Sequence, residues 1–198
     1  FSYANEHLLG ENCVLCNNDI SFDETLDLLR ETKDFDLDGH FISLTRWDVM
    51  LDNSLRFKRP AKIRRNSQDA WAFRPSLPLK MIDKGGFYMG RPGCDGMVAY
   101  LATISELKVF NPSKVVKAKH LHLSAHRTYS RIHRMGGDDI YMCVYPTSHI
   151  VFEDSKLMYR FGNPKRDVDS QEAIDSALEF EKENDIHWDY AIEKCRSR

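Results

Sequence analysis

The stretch from Asn12 to Leu29, NCVLCNNDISFDETLDLL, determines the expected fold class. Its first part, Asn12 to Cys16, is short and apolar, which is typical of a buried strand. The polar turn Asn17-Asn18-Asp19 follows. Then comes a match to a capping box, because Glu24 stands three residues after Ser21. A strand that ends in a polar turn and leads into a helix predicts an α/β protein.

The same order of elements returns further along the chain. Phe41 to Leu44 predicts a second strand, and a helix is expected from about Asp95 to Leu107. Ile140 to Tyr145 indicates another strand, and a further helix begins near Asp169. We therefore expect a mixed sheet flanked by helices, with ligands bound beyond the carboxyl ends of its strands.

Composition limits the classes of protein that fit. The chain has 198 residues and is 42% hydrophobic, which suits one folded domain and excludes a disordered chain. Its 28 Lys and Arg against 30 Asp and Glu give a net charge of -2, so we expect no nucleic-acid partner. No apolar run approaches the length of a membrane span, and we expect no transmembrane segment.

The five cysteines are odd in number and scattered, which argues against a disulfide framework and favours a reducing, cytoplasmic location. Cys13 and Cys16 form a lone C-x-x-C without a second ligand pair, so both are interpreted as strand residues. The first residue is Phe1, without a Met or a signal-peptide pattern. We interpret the chain as a piece of a longer protein.

Two segments carry candidate binding groups. Asn17 and Asp19 follow a strand, where their oxygens are suited to Mg²⁺ or Mn²⁺ bound to a diphosphate; an ordinary turn is the alternative. Asp69, Trp71 and Phe73 share one face of a predicted strand. A carboxylate beside an aromatic plane is typical of a sugar site. The alternative is a core Trp71, with Asp69 capping a loop.

Two further segments carry candidate catalytic or metal-binding groups. Asp95 stands at a predicted helix start, where it is either a plain N-cap or a carboxylate base kept ionised by the helix dipole. His120 and His122 alternate with Leu121 and Leu123. We expect the leucines to face the core and the imidazoles to meet a metal or phosphate, unless the pair is structural.

These segments, taken in order, resemble a known family. Residues 1–129 are similar to nucleotide-sugar glycosyltransferases of the GT-A fold. The resemblance depends on the following stretches: Asn17-x-Asp19-Ile20, Ser43-Leu44-Thr45-Arg46-Trp47-Asp48, Ser67-Gln68-Asp69-Ala70-Trp71, Pro92-Gly93-Cys94-Asp95 and His120-Leu121-His122.

The resemblance implies a role for each matching position. Asn17-x-Asp19 matches the Asp-x-Asp element that holds a divalent metal on the donor diphosphate. Asp95 matches the base that acts on the acceptor hydroxyl. His122 would complete the metal shell, with His120 as its rival. The segment with Asp69 and Trp71 would lie near the donor sugar or the acceptor, and Arg46 would contact phosphate or the acceptor.

The chain departs from the family pattern in two ways. Asn17 replaces the first acid of the pair, and only one predicted helix and one strand precede it. We therefore expect an N-terminally shortened, GT-A-like (Rossmann-related) domain over residues 1–129. Residues 130–198 would form a strand and helix extension that packs on the same domain.

The expected activity is metal-dependent transfer of a sugar from a nucleoside-diphosphate donor to a glycan or other hydroxyl acceptor, with Mn²⁺ or Mg²⁺ as cofactor. One alternative is a metal-dependent phosphohydrolase or nuclease that uses Asp19, Asp69 and the histidine pair; the basic stretch from Arg56 to Arg65 favours it. The other is a non-catalytic carbohydrate-binding remnant that has lost its donor half.

Overall fold

The computed structural model describes residues 1–30, 36–57, 67–87, 89–121, 140–148, 150, 157–161, 166–168 and 170–183. Besides a 3₁₀ helix at Glu24–Leu29, its helices are α1 (Ser2–His7), α2 (Leu79–Lys84), α3 (Cys94–Ile104) and α4 (Ser170–Glu183). Within these residues, no helix has the length and apolar character needed to cross a membrane.

The strands, in chain order, are β1 (Cys13–Cys16), β2 (Ile20–Ser21), β3 (His40–Leu44), β4 (Arg46–Val49), β5 (Leu55–Arg56), β6 (Ala70–Phe73), β7 (Lys108–Phe110), β8 (Ala118–His120), β9 (Ile140–Val144), β10 (Leu157–Phe161) and β11 (Arg166–Val168). The protein is thus a mixed α/β structure, as the sequence predicts.

The strands form three sheets. The first has the order β1-β6-β3-β7, in which β6 runs antiparallel to both neighbours and β7 runs parallel to β3. The second has the order β2-β8-β4-β5, with β8 parallel to β4 and antiparallel to β2. The third, β11-β10-β9, is antiparallel. The first two sheets are therefore the mixed ones.

Alternating side chains of the first sheet enter two separate cores. Phe41, Trp71 and Phe73 belong to one hydrophobic cluster with α3, while Ile42 and Ala72 belong to another. Because β6 contributes to both clusters, all of its residues are buried. In the first cluster, Gly96 of α3 approaches β9 closely, since a Cβ on Gly96 would lie 3.0 Å from the Met142 carbonyl oxygen.

Two local predictions are wrong. The segment after Asp19 forms a 3₁₀ helix instead of an α-helix, and Asp23 caps it by accepting a hydrogen bond from the Thr25 N–H at 3.1 Å. Ser21, the predicted cap, lies in β2 instead, because it pairs with Lys119 of β8. Arg46 to Val49, which directly follows β3, forms β4 of the second sheet.

A buried asparagine joins the ends of three strands. The amide nitrogen of Asn111 donates to Thr45 Oγ1 at 2.9 Å and to the Val144 carbonyl oxygen at 3.0 Å. Its amide oxygen accepts from the Thr45 N–H at 3.3 Å and from the N–H and hydroxyl of Ser113. Asn111 therefore fixes the chain where β3, β7 and β9 end.

Replacement of this side chain tests its structural role. We expect Asn111→Ala to lower the free energy of unfolding by about 3 kcal/mol, because it leaves buried backbone groups without a partner. Urea denaturation at pH 7 measures the change. The control is Asn12→Ala, since the exposed Asn12 makes one long hydrogen bond of 3.5 Å. Equal losses in the two variants would contradict the assignment.

Candidate active site

The candidate site lies where the chain passes from the first sheet to the second. Strand β3 ends at Leu44 and β4 begins at Arg46, with only Thr45 between them. The Asp69 N–H donates to the Leu44 carbonyl oxygen at 2.9 Å, and the Asn17 N–H donates to the Asp69 carbonyl oxygen at 3.0 Å. These bonds place the carboxyl ends of β1 and β3 beside the start of β6.

Arg46 occupies the centre of this region. Its Nη1 donates to Asp69 Oδ1 at 3.0 Å and its Nε donates to Asp48 Oδ1 at 3.2 Å. Burial by itself would lower the pKa of Arg46, but the Asp69 and Asp48 carboxylates outweigh it and raise that pKa. The guanidinium is therefore a firmly held positive charge.

The Asp69 carboxylate accepts hydrogen bonds from three side chains. Its side chain is only 7% exposed, and besides Arg46 it accepts from Asn17 Nδ2 and from Ser67 Oγ, both at 3.2 Å. A buried carboxylate needs such partners, because an unpaired charge in the interior is costly. The Ser67-x-Asp69 spacing and the Asn17 turn are thus parts of one hydrogen-bonded unit.

His120 connects a second pair of carboxylates. It stands opposite Asp48 in the β4–β8 register and opposite Ile20 in the β2–β8 register. His120 Nε2 lies 3.0 Å from Asp19 Oδ2, and Nδ1 lies 3.3 Å from Asp48 Oδ1. Burial and the Arg46 charge lower the pKa of His120, although the Asp19 and Asp69 carboxylates act in the opposite direction. Asp19 is 36% exposed, so this group of hydrogen-bonded side chains reaches the protein surface at Asp19.

The predicted orientation of β8 is wrong. His120 is buried and Leu121 is 53% exposed, the reverse of the expected alternation. The physical reason is that β8 lies between β2 and β4, where the imidazole contacts Asp19 on one side and Asp48 on the other. His122, the other predicted metal ligand, lies outside the described residues.

Asp95 lies in the first turn of α3, next to this unit. Gly93, with φ 86°, is the N-cap residue, so the prediction of Asp95 as the cap is wrong. Burial and the charge of Asp69 raise the pKa of Asp95 to about 7, although the Cys94 thiol, the Gln68 N–H and Arg46 favour its ionised form. A carboxyl group with this pKa exchanges protons near neutral pH.

The structure thus brings together most of the predicted site residues. We call this set the Arg46 network: Asn17, Asp19, Arg46, Asp48, Asp69, Asp95 and His120. Asp48 was missed as a site residue in the sequence, although its spacing of two from Arg46 on a strand places both on one face. Trp71 lies apart from the network, fully buried in the core beneath α3, where no sugar can stack on it.

The charges of the network favour a cation. The network contains four carboxyl groups and one guanidinium, and the pKa of its imidazole is lowered. Among the described residues, no group of three or more His, Cys, Asp or Glu is arranged to hold a metal ion. Asp19 still fits Mg²⁺ or Mn²⁺, because such ions often bind through one or two carboxylates together with water and substrate phosphates.

Comparison with known proteins adds no assignment. No protein-family model matches the chain, and no curated protein or solved structure matches it either. A function for this chain is therefore inferred from its own residues and their contacts.

The raised pKa of Asp95 makes stability depend on pH. Because the folded-state pKa of about 7 exceeds the ordinary value of 3.8, the free energy of unfolding falls as pH rises between these values. We expect Asp95→Asn to raise Tm by roughly 5 °C at pH 8, where the native carboxylate is ionised. At pH 4 the gain should nearly vanish, since the folded protein already holds the proton.

Thermal denaturation of both proteins at the two pH values checks this expectation. Asp83→Asn is the matched control, because Asp83 is exposed on the neighbouring helix α2. A gain that is equal at pH 4 and pH 8, or equal in the control, would refute the assigned cause.

Proposed function

We propose that the protein is a metal-dependent glycosyltransferase that moves a sugar from a nucleoside-diphosphate donor to a glycan or other hydroxyl acceptor. The observation that supports this most directly is the Arg46 network, in which residues up to 101 positions apart join one charged unit. The resemblance to GT-A glycosyltransferases had linked six of the same positions to donor, acceptor and metal.

Asp95 is the proposed base for the acceptor. In an inverting reaction, the acceptor oxygen forms a bond to the anomeric carbon as the bond from that carbon to the diphosphate breaks. The carboxylate of Asp95 takes the hydroxyl proton, and the nucleoside diphosphate leaves. A pKa of about 7 suits this role, because roughly half of the base is ionised at neutral pH and it still binds a proton.

Asp19 is the proposed contact to the donor. Its side chain is 36% exposed, against 15% for Asp48 and 7% for Asp69. A Mn²⁺ or Mg²⁺ ion on Asp19 would neutralise charge on the leaving diphosphate. Asn17 donates a hydrogen bond to Asp69, so we assign it a structural role in the site instead of a place among the metal ligands.

The GT-A-like fold is part of the same proposal. We infer a GT-A-like, Rossmann-related domain over residues 1–129 that is shortened at its N-terminal side, with 130–198 as an extension. Support comes from the position of the network at the carboxyl ends of β1 and β3, where α/β proteins bind ligands. Contacts of α3 with β9 and α4 agree with an extension that packs on the same domain.

A donor screen tests the proposal. The full chain is incubated with Mn²⁺, a panel of nucleotide sugars and simple glycosides as acceptors, and products are identified by mass spectrometry. We expect at least one donor to give a glycosylated product and free nucleoside diphosphate, both abolished by a chelator. Donor cleavage without transfer would favour the phosphohydrolase, and glycan binding without a nucleotide response would favour the carbohydrate-binding remnant.

Substitution of the proposed base gives a sharper test. With an active donor, we expect Asp95→Asn to lower kcat by about 10²–10⁴-fold, the usual contribution of a general base. For the unsubstituted protein, kcat/KM should rise with pH through an inflection near 7, since the base must be ionised. Asp83→Asn should keep full activity. An Asp95→Asn variant with an undiminished rate would exclude Asp95 as the base.

A further inference from the structure

Arg46 was expected to contact phosphate or the acceptor, but the structure gives its guanidinium two carboxylate partners. Nη1 donates to Asp69 and Nε to Asp48, at 3.0 and 3.2 Å, and the side chain is 17% exposed. Since the Nε proton and one of the two Nη1 protons are used within the protein, these two groups serve to hold protein carboxylates in place.

One of those carboxylates acts on Asp95. The groups that face the Asp95 carboxyl are the Cys94 thiol from α3, the Gln68 N–H and Asp69 next to β6, and Arg46 from β4. Cys94 Sγ lies 3.1 Å from Asp95 Oδ1, and burial raises the pKa of that thiol, which keeps it neutral. Asp69 is thus the like charge in this set and Arg46 the opposite one.

We propose that Arg46 is a positioning residue that clamps Asp48 and Asp69 across the junction of the two sheets and holds one positive charge beside Asp95. The proposal deepens the glycosyltransferase assignment and rests on it for the meaning of Asp95 as a base. The clamp does not touch the reacting atoms. It lowers the pH at which Asp95 becomes ionised, because it opposes the repulsion between Asp69 and Asp95, while burial is the largest influence in the opposite direction.

The geometry explains why an arginine is needed. A guanidinium has a planar fork that can bond two separate carboxylates at once, whereas the lysine ammonium is a compact point charge on a flexible chain. Asp48 and Asp69 are contacted by different nitrogens of the same fork. A lysine at this position would keep the charge and lose one of the two contacts.

The test follows the Asp95 proton directly. Protein with ¹³C-labelled aspartate carboxyl groups is titrated by NMR, and the Asp95 signal is assigned from its loss in Asp95→Asn. We expect the midpoint of the unsubstituted protein near 7. In Arg46→Met the midpoint should rise by about 1 unit or more, since an opposite charge beside a carboxyl shifts its titration by about 1–3 units. Arg46→Lys should give a smaller rise.

Arg74→Met is the control, because Arg74 pairs with Asp36 at 3.8 Å and is half-buried, away from Asp95. A midpoint that stays unchanged in Arg46→Met would overturn the proposal. If Arg46→Met does not fold by circular dichroism, Arg46→Lys decides by the direction of its shift. Failure of both Arg46 variants to fold would also overturn it, since Arg46 would then be a structural residue.

The titration needs no donor or acceptor, so its result is separate from the donor screen. A raised midpoint without any sugar transfer would support the clamp and reject the glycosyltransferase assignment. An unchanged midpoint in a protein that transfers sugar would do the reverse. With an active donor, the inflection of kcat/KM against pH should move with the NMR midpoint in each Arg46 variant.

Discussion

The contact of Arg46 with Asp48 and Asp69 is the interaction on which the site depends. The carboxylates of buried Asp69 and half-buried Asp48 repel each other and require a positive charge. Removing one partner of such a buried pair costs about 3–5 kcal/mol. Arg46 begins β4 of the second sheet, while Asp69 stands at the start of β6 in the first. The same ion pair therefore joins the two sheets and fixes the relative positions of the acidic groups.

The carboxyl groups of the site repel one another, but hydrogen bonds and packing fix the backbone that carries them. Asn111 and Ser113 hold Thr45 immediately before Arg46, so buried hydrogen bonds fix the junction. Helix α3 presents Asp95 from the other side, packed through its apolar residues against the first sheet. A carboxyl group with a pKa near neutrality reduces stability when ionised. Such a cost is expected of a functional group held in place by its surroundings.

Much of the fold and most of the site could be predicted from local sequence patterns. Helix α3, strand β1 and the face shared by Trp71 and Phe73 follow from hydrophobic spacing and turn residues. The errors come from non-local contacts. Leu121 looks like a core residue until β8 is placed between β2 and β4, where Asp19 and Asp48 contact a buried His120. Trp71 resembles a surface on which a sugar could stack, but it is fully buried in the cluster that contains α3. Asp48 joins the site through its bond to Arg46 and through the β4–β8 register, which places it opposite His120.

The central claim is that the Arg46 network binds a nucleoside diphosphate through a divalent cation at Asp19. Calorimetric titration of a nucleoside diphosphate into the full chain, with and without Mn²⁺, tests it most directly. The account predicts binding that requires Mn²⁺ and weakens at least about tenfold in Asp19→Asn, because the cation loses its only protein carboxylate in the proposal. Binding that is equally strong without Mn²⁺, or unchanged in Asp19→Asn, would contradict it, as would no binding of any nucleoside diphosphate.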